Sequence, residues 1–122
     1  MTAAPKIYIA GPMTGYDDYN YPAFHDAFDH LNIIWGDRYT VVSPAHDDQG
    51  RPVQPPATDA TLGYDHYLRT AIAKLIDCRA IYLLTGWQNS TGARLELKIA
   101  HALGMEILHQ PGAAPTTSAL DI

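Results

Sequence analysis

Cysteine is almost absent from this chain, and so is clustered positive charge. Cys78 is the single cysteine among 122 residues, which excludes an intramolecular disulfide and a cysteine-based zinc site. It reads as a buried, inert thiol in a reducing compartment. Eight Lys and Arg stand against 13 Asp and Glu, a net charge of −5, and no basic run exists that could displace counterions from a duplex. Binding to duplex nucleic acid is therefore not expected, whereas small anions remain possible ligands. Long apolar runs are also lacking, so no membrane span is expected. The opening MTAAPKIYIAG enters a strand without a signal-peptide pattern, and a cytoplasmic protein is the expectation. The six histidines show no metal-ligand spacing, His46-Asp47-Asp48 reads as a solvated loop, and neither a metal site nor a cofactor is expected.

What is present describes one α/β domain: 47 % hydrophobic and 17 % charged residues give an ordinary core. Lys6–Ala10 is a β-rich run broken by Gly11-Pro12, and the following MTGYDDYNYP is turn-rich and polar-aromatic. Pro22 suits a first helical turn, and Phe24, Phe28 and Leu31 repeat at helical spacing toward Trp35. Tyr39–Ser43 reads as a second strand. Pro44 to about Gly63 lacks periodicity, and loops of that length are usually functional or disordered. Leu62–Ile76 reads as a helix with Leu68, Ile72, Leu75 and Ile76 inward. Ala80–Leu84 is a third strand and Met105–Leu108 a fourth, while QPGAAPTTSALDI looks frayed. The division is a folded domain over 1–110 and a flexible tail over 111–122. Helices between strands imply parallel pairing, hence a single doubly wound, Rossmann- or flavodoxin-like sheet of four to five strands with helices on both faces. The expected order is 2-1-3-4, with the first and third strands central.

Leu83–Gly104 (LLTGWQNSTGARLELKIAHALG) is the stretch that carries the chemistry. A strand ends, a polar turn follows, and a helix opens at Ser90, a plausible N-cap whose free N–H groups face the loop and suit an anion. At about 100° per residue, Leu95, Ile99, Ala102 and Leu103 form the expected core face and Arg94, Lys98 and His101 the solvent face. Glu96 falls on the edge of the core, a partly desolvated carboxylate suited to act as nucleophile or base. In the strand order above, the loops GPMTG and TGWQNSTG face each other across the switch-point crevice. Gly11, Pro12, Met13, Thr14 and Gly15, together with Ser90 and Gly92, are the expected substrate-binding backbone. Trp87 can either stack on a base or close the loop over the core.

Tyr8-Ile9-Ala10-Gly11-Pro12, with Ser90-Thr91-Gly92-Ala93-Arg94-Leu95-Glu96 and Ala100, resembles the nucleoside 2-deoxyribosyltransferase superfamily. GPMTG and LLTGWQNSTGARLE are most similar to the branch known as domain of unknown function 4406. The resemblance implies that Glu96, four residues after Gly92, attacks C1′ of a 2-deoxyribosyl group, and that Tyr8 orients it. It also implies that Ser90, six residues before Glu96, meets the 5′ end of the sugar. Superfamily members acting on nucleosides tend to carry an acid there and monophosphate hydrolases a serine. A hydroxyl at a helix N-terminus can donate to a phosphate, whereas a carboxylate repels one. The family's aspartate that helps the base depart aligns with Ala71, flanked at six residues on either side by Asp65 and Asp77. Asp65, at the helix start, is the candidate substitute.

The expected function is therefore cleavage of the N-glycosidic bond of a deoxynucleoside or deoxynucleotide, or deoxyribosyl transfer, through a glutamate nucleophile. The alternative is a weak or inactive nucleotide-binding module that senses or sequesters its ligand. Tyr16, Tyr19, Tyr21 and Trp35 read as exposed aromatics and, with the resemblance, imply a homodimer or higher homo-oligomer.

Overall fold

Lys6–Ala10 (β1) buries every residue after Lys6, the pattern of a strand covered on both faces. In the computed structural model, which describes residues 4–55 and 63–116, β1 lies at the centre of a four-stranded parallel sheet. The order is β2-β1-β3-β4, with β2 at Thr40–Val42, β3 at Ala80–Leu83 and β4 at Glu106–His109. Tyr8 pairs with Ile81 and Ala10 with Leu83, so the two most apolar strands are neighbours, as their composition implies. The helices are α1 (Tyr21–Trp35), α2 (Tyr64–Leu75) and α3 (Thr91–Ala102).

Side chains alternate across a strand, and the two faces of the sheet carry separate cores. Ile7, Ile9, Ala80 and Tyr82 pack with Tyr21, Phe24, Ala27 and Leu31 of α1. Tyr8, Ala10, Ile81 and Leu83 pack with Leu75 at the end of α2 and with Ala93, Leu97 and Ala100 of α3. This is the doubly wound arrangement, with α1 on one face and α2 and α3 on the other. Among the described residues, no helix is long and apolar enough to cross a membrane.

Two local expectations are corrected. The inward face of α3 is Ala93, Glu96, Leu97 and Ala100, with Ile99 of the expected face packed beside it, whereas Ala102 is exposed and Leu95 and Leu103 are 38 % and 56 % exposed. Helix α3 has two apolar stripes, and the sheet takes the one whose alanines let the backbone approach closely. Glu96 is thereby drawn from the edge of the core into the buried face, 6 % exposed. Ile76, expected inward, follows the last turn of α2 and is 55 % exposed. Beyond β4, Ala113 and Ala114 pack on the α3-side core, and the Trp87 indole Nε1 donates to the Ala114 carbonyl at 2.9 Å. Leu62 and residues 117–122 lie outside the described residues.

Candidate active site

The loops leaving β1 and β3 meet because their strands are adjacent, and they are locked together by backbone contact. Leu84 N–H donates to Ala10 O at 2.9 Å. Gly11 lies so close that a Cβ there would stand 2.8 Å from Leu84 Cβ, so only glycine lets the β1 loop cross β3 at this height. Gly86, at φ +90°, then turns the chain toward α3. Ser90 caps α3, its Oγ accepting from Ala93 N–H at 3.1 Å, which leaves the N–H groups ahead of Ala93 facing the opening.

After β1 the chain makes a short 3₁₀ turn, Asp17–Asn20, in which Asp18, Tyr19 and Asn20 all have positive φ (51°, 51° and 62°). Aspartate and asparagine tolerate this region; a tyrosine there stores about 1–3 kcal/mol of strain, of the kind found at ligand clamps. Asn20 Nδ2 holds the turn by donating to Pro12 O at 2.9 Å.

Between these loops and α2 lies an open cleft of about 830 Å³. Its α3 side is Asn89, Ser90, Thr91, Gly92, Ala93 and Glu96. Its β1-loop side is Gly11 to Thr14 with Tyr16 and Tyr19, α2 contributes Tyr67, Leu68, Ala71 and Lys74, and Tyr21 and Pro44 complete the wall. A shallower hollow of about 470 Å³ on the α1 face, beside Asp26, His30 and Gln110, holds no buried carboxylate.

Glu96 is the chemical centre of the cleft. Burial pushes its carboxyl up from 4.5 to about 7, and a hydrogen bond from the Tyr8 hydroxyl acts, more weakly, in the opposite direction. Its Oε2 is buried without a hydrogen-bond partner, the condition of an atom held for something outside the fold. Tyr8, itself fully buried, is held well above the ordinary phenol range, first by burial and then by the charge of Glu96, so it remains a proton donor. A carboxyl poised near neutrality, positioned by a tyrosine and open to a cleft, can act as nucleophile or as base.

Of the residues expected from the sequence, Gly11, Pro12, Met13, Thr14, Ser90, Gly92 and Glu96 come together in the cleft wall, with Tyr8 directly behind Glu96. Three do not line it. Trp87 is fully buried, its Nε1 satisfied by Ala114, so it closes the loop over the core and offers no face to a base. Gly15 is exposed at the outer turn with φ +87°. Asp65 is exposed on the first turn of α2, outside the wall where Ala71 stands.

Four tyrosines and Lys74 join the site beyond the residues expected there. Tyr16, Tyr19 and Tyr21, which read as association surface in the sequence, line the cleft, joined by Tyr67. The polar-aromatic YDDYNYP is the signal that could have placed the first three. Lys74 follows Ala71 by one turn, and its Nζ donates to the carbonyls of His46 at 3.1 Å and Ser43 at 3.4 Å. Sequence spacing shows the first relation but not the second. Among the described residues, no group of three or more His, Cys, Asp or Glu is placed to hold a metal ion.

A conserved protein from Enterococcus faecalis V583 has a similar crystal structure, with a TM-score of 0.58 and 18 % sequence identity. The similarity covers 88 % of this chain and 63 % of that one, so the present chain spans less than two thirds of its length. At that identity the likeness speaks for the fold alone. No curated protein matches the sequence. Residues 5–109 match the family model described as Domain of unknown function (DUF4406), and the chain, matched over most of its length, belongs to that family.

Proposed function

We propose that the cleft binds a 2-deoxynucleotide and that Glu96 breaks its N-glycosidic bond, with water or a second base resolving the glycosyl-enzyme. The observation that carries this reading is the Glu96 carboxyl, 6 % exposed, with an unpartnered Oε2, in the wall of an 830 Å³ cleft beside the N-terminus of α3. A protein that merely bound an anion would gain nothing from a buried carboxylate, whose desolvation costs several kcal/mol, on the order of magnitude known for buried ions. The sugar would lie over Glu96, with its 5′ end toward Ser90 and the free N–H groups of α3. The resemblance to nucleoside 2-deoxyribosyltransferases, with serine rather than an acid at position 90, favours the monophosphate over the nucleoside.

A second reading is a nucleotide-binding module, favoured by Ala71 in the cleft wall where the resemblance implies an aspartate. Incubation with each deoxynucleoside and deoxynucleoside monophosphate, with chromatography for free base, separates the two. Base release supports the enzyme, whereas saturable binding without release supports the module. The same proposal includes a cytoplasmic location and a homodimer or higher homo-oligomer. Tyr16, Tyr19 and Tyr21 line the cleft and Trp35 packs against the α1-side core, so the exposed apolar residues open to association are Ile33 and Ile34 of α1, Ile76 after α2, and Leu95 and Leu103 at α3 and its end. Light scattering that gives a monomer at micromolar concentration counts against it.

A further inference from the structure

We infer that Lys74 serves the departing base, in place of the acid missing at position 71. The inference rests on the reading of the cleft as a site for N-glycosidic cleavage, and it assigns a catalytic group to the α2 wall of the cleft.

The cleft has two chemically distinct ends. On the α3 side stand Glu96 and the capped helix terminus with Ser90 and Gly92. On the β2 side stand Tyr21, Pro44, Tyr67 and Leu68, a wall of flat and apolar groups. The Tyr21 phenol is raised first by burial and then by the nearby Tyr67, and the Tyr21 hydroxyl donates to Pro44 O at 3.4 Å. With the sugar over Glu96 and its 5′ end at Ser90, the planar base extends toward this wall. Lys74 is the cationic side chain of α2 that lines the cleft, beside the Tyr67 phenol.

Its ammonium is held in place rather than left to solvent. The carbonyls of Ser43 and His46 accept from Nζ at 3.4 and 3.1 Å, fixing the side chain between the end of β2 and α2. An ammonium has three donors and no acceptor, so a third N–H remains beyond these two contacts. The carboxylates flanking Ala71 in sequence are not rivals for this role, because Asp65 and Asp77 are both exposed and neither lines the cleft.

The step balances without any other co-reactant than water. A Glu96 oxygen forms a bond to C1′ as the C1′–N bond breaks, and that electron pair stays on the base. The base takes a proton from the Lys74 ammonium and leaves neutral. Water then attacks C1′, the C1′–O bond to Glu96 breaks, and the proton released by water returns to the Lys74 amine. The products are the free base and the 2-deoxyribosyl sugar.

The experiment compares ordinary deoxynucleoside monophosphates with 7-methyl-2′-deoxyguanosine monophosphate, whose cationic base departs neutral and needs no acid. Lys74→Met should lower base release from the ordinary substrates by about 10²-fold or more, the usual contribution of a general acid. It should change release from the 7-methyl substrate by only a few-fold. Lys74→Arg keeps the charge and donors toward both carbonyls but cannot give up a proton, and should show the same substrate-dependent loss. Equal losses on both substrates, or no loss on either, overturn the assignment. A parent protein that cleaves only the 7-methyl substrate also overturns it while sustaining Glu96 as nucleophile. A parent that cleaves neither overturns the reading of the cleft itself.

Discussion

Glu96→Gln should make this protein more stable above neutral pH. In the unfolded chain the carboxyl ionises at its ordinary value of 4.5, whereas burial holds it at about 7 in the fold. Between those values the folded state keeps a proton that the unfolded state has released. Stability therefore falls as pH rises from 4.5 to about 7 and stays low above it. The gap corresponds to about 3 kcal/mol. Glutamine has nearly the same shape and no charge to desolvate, so the variant should exceed the parent by about that amount at about pH 8 and match it near pH 4.5. For a domain of this size the gain is on the order of 10 °C in Tm. Thermal unfolding of both proteins across this range, followed by circular dichroism, measures the difference directly. His46, held down at about 4 mainly by burial, contributes equally to both proteins and cancels. A Tm difference that does not vary with pH, or a variant less stable than the parent at pH 8, would refute the reasoning. The expected result is the mark of a site that trades stability for chemistry.

Ser90→Asp keeps a side-chain acceptor for Ala93 N–H, so α3 should stay capped, but it sets a negative charge at the helix terminus. Titration calorimetry should show monophosphate binding weakened and nucleoside binding spared; equal loss on both would place the phosphate elsewhere. Gly11→Ala puts a Cβ 2.8 Å from Leu84 Cβ and should cost about 1–3 kcal/mol in denaturant unfolding, because the neighbour is a buried side chain that cannot swing away. An unchanged midpoint would mean that the two loops are less closely locked than their geometry indicates.

The parts of this protein legible in its sequence are those where a pattern has one physical solution. Two short runs without a charged residue after Lys6, Ile7–Ala10 and Ala80–Leu84, can be covered on both faces only at the centre of a parallel sheet. Their adjacency brings GPMTG and the TGWQNSTG turn together at the switch point. The face of α3 was not legible in the same way. Leu95, Ile99, Ala102 and Leu103 make a good apolar stripe, but helix-on-sheet packing rewards close approach, and Ala93 and Ala100 supply it. Trp87 is ambiguous because an indole suits both a core and a base, and only its hydrogen bond to Ala114 decides. The contacts of Lys74 run to carbonyls 28 and 31 residues away, beyond the reach of any local pattern. The three tyrosines of YDDYNYP announce a surface, but which surface depends on the left-handed turn that folds them over the cleft.

The central claim is that Glu96 forms the bond to the sugar, and the most direct measurement is base release from deoxynucleoside monophosphates by the parent and by Glu96→Gln, side by side. The parent should release free base, and the variant, folded and at pH 8 more stable, should release none above background. Full turnover by Glu96→Gln on every substrate cleaved by the parent would contradict it.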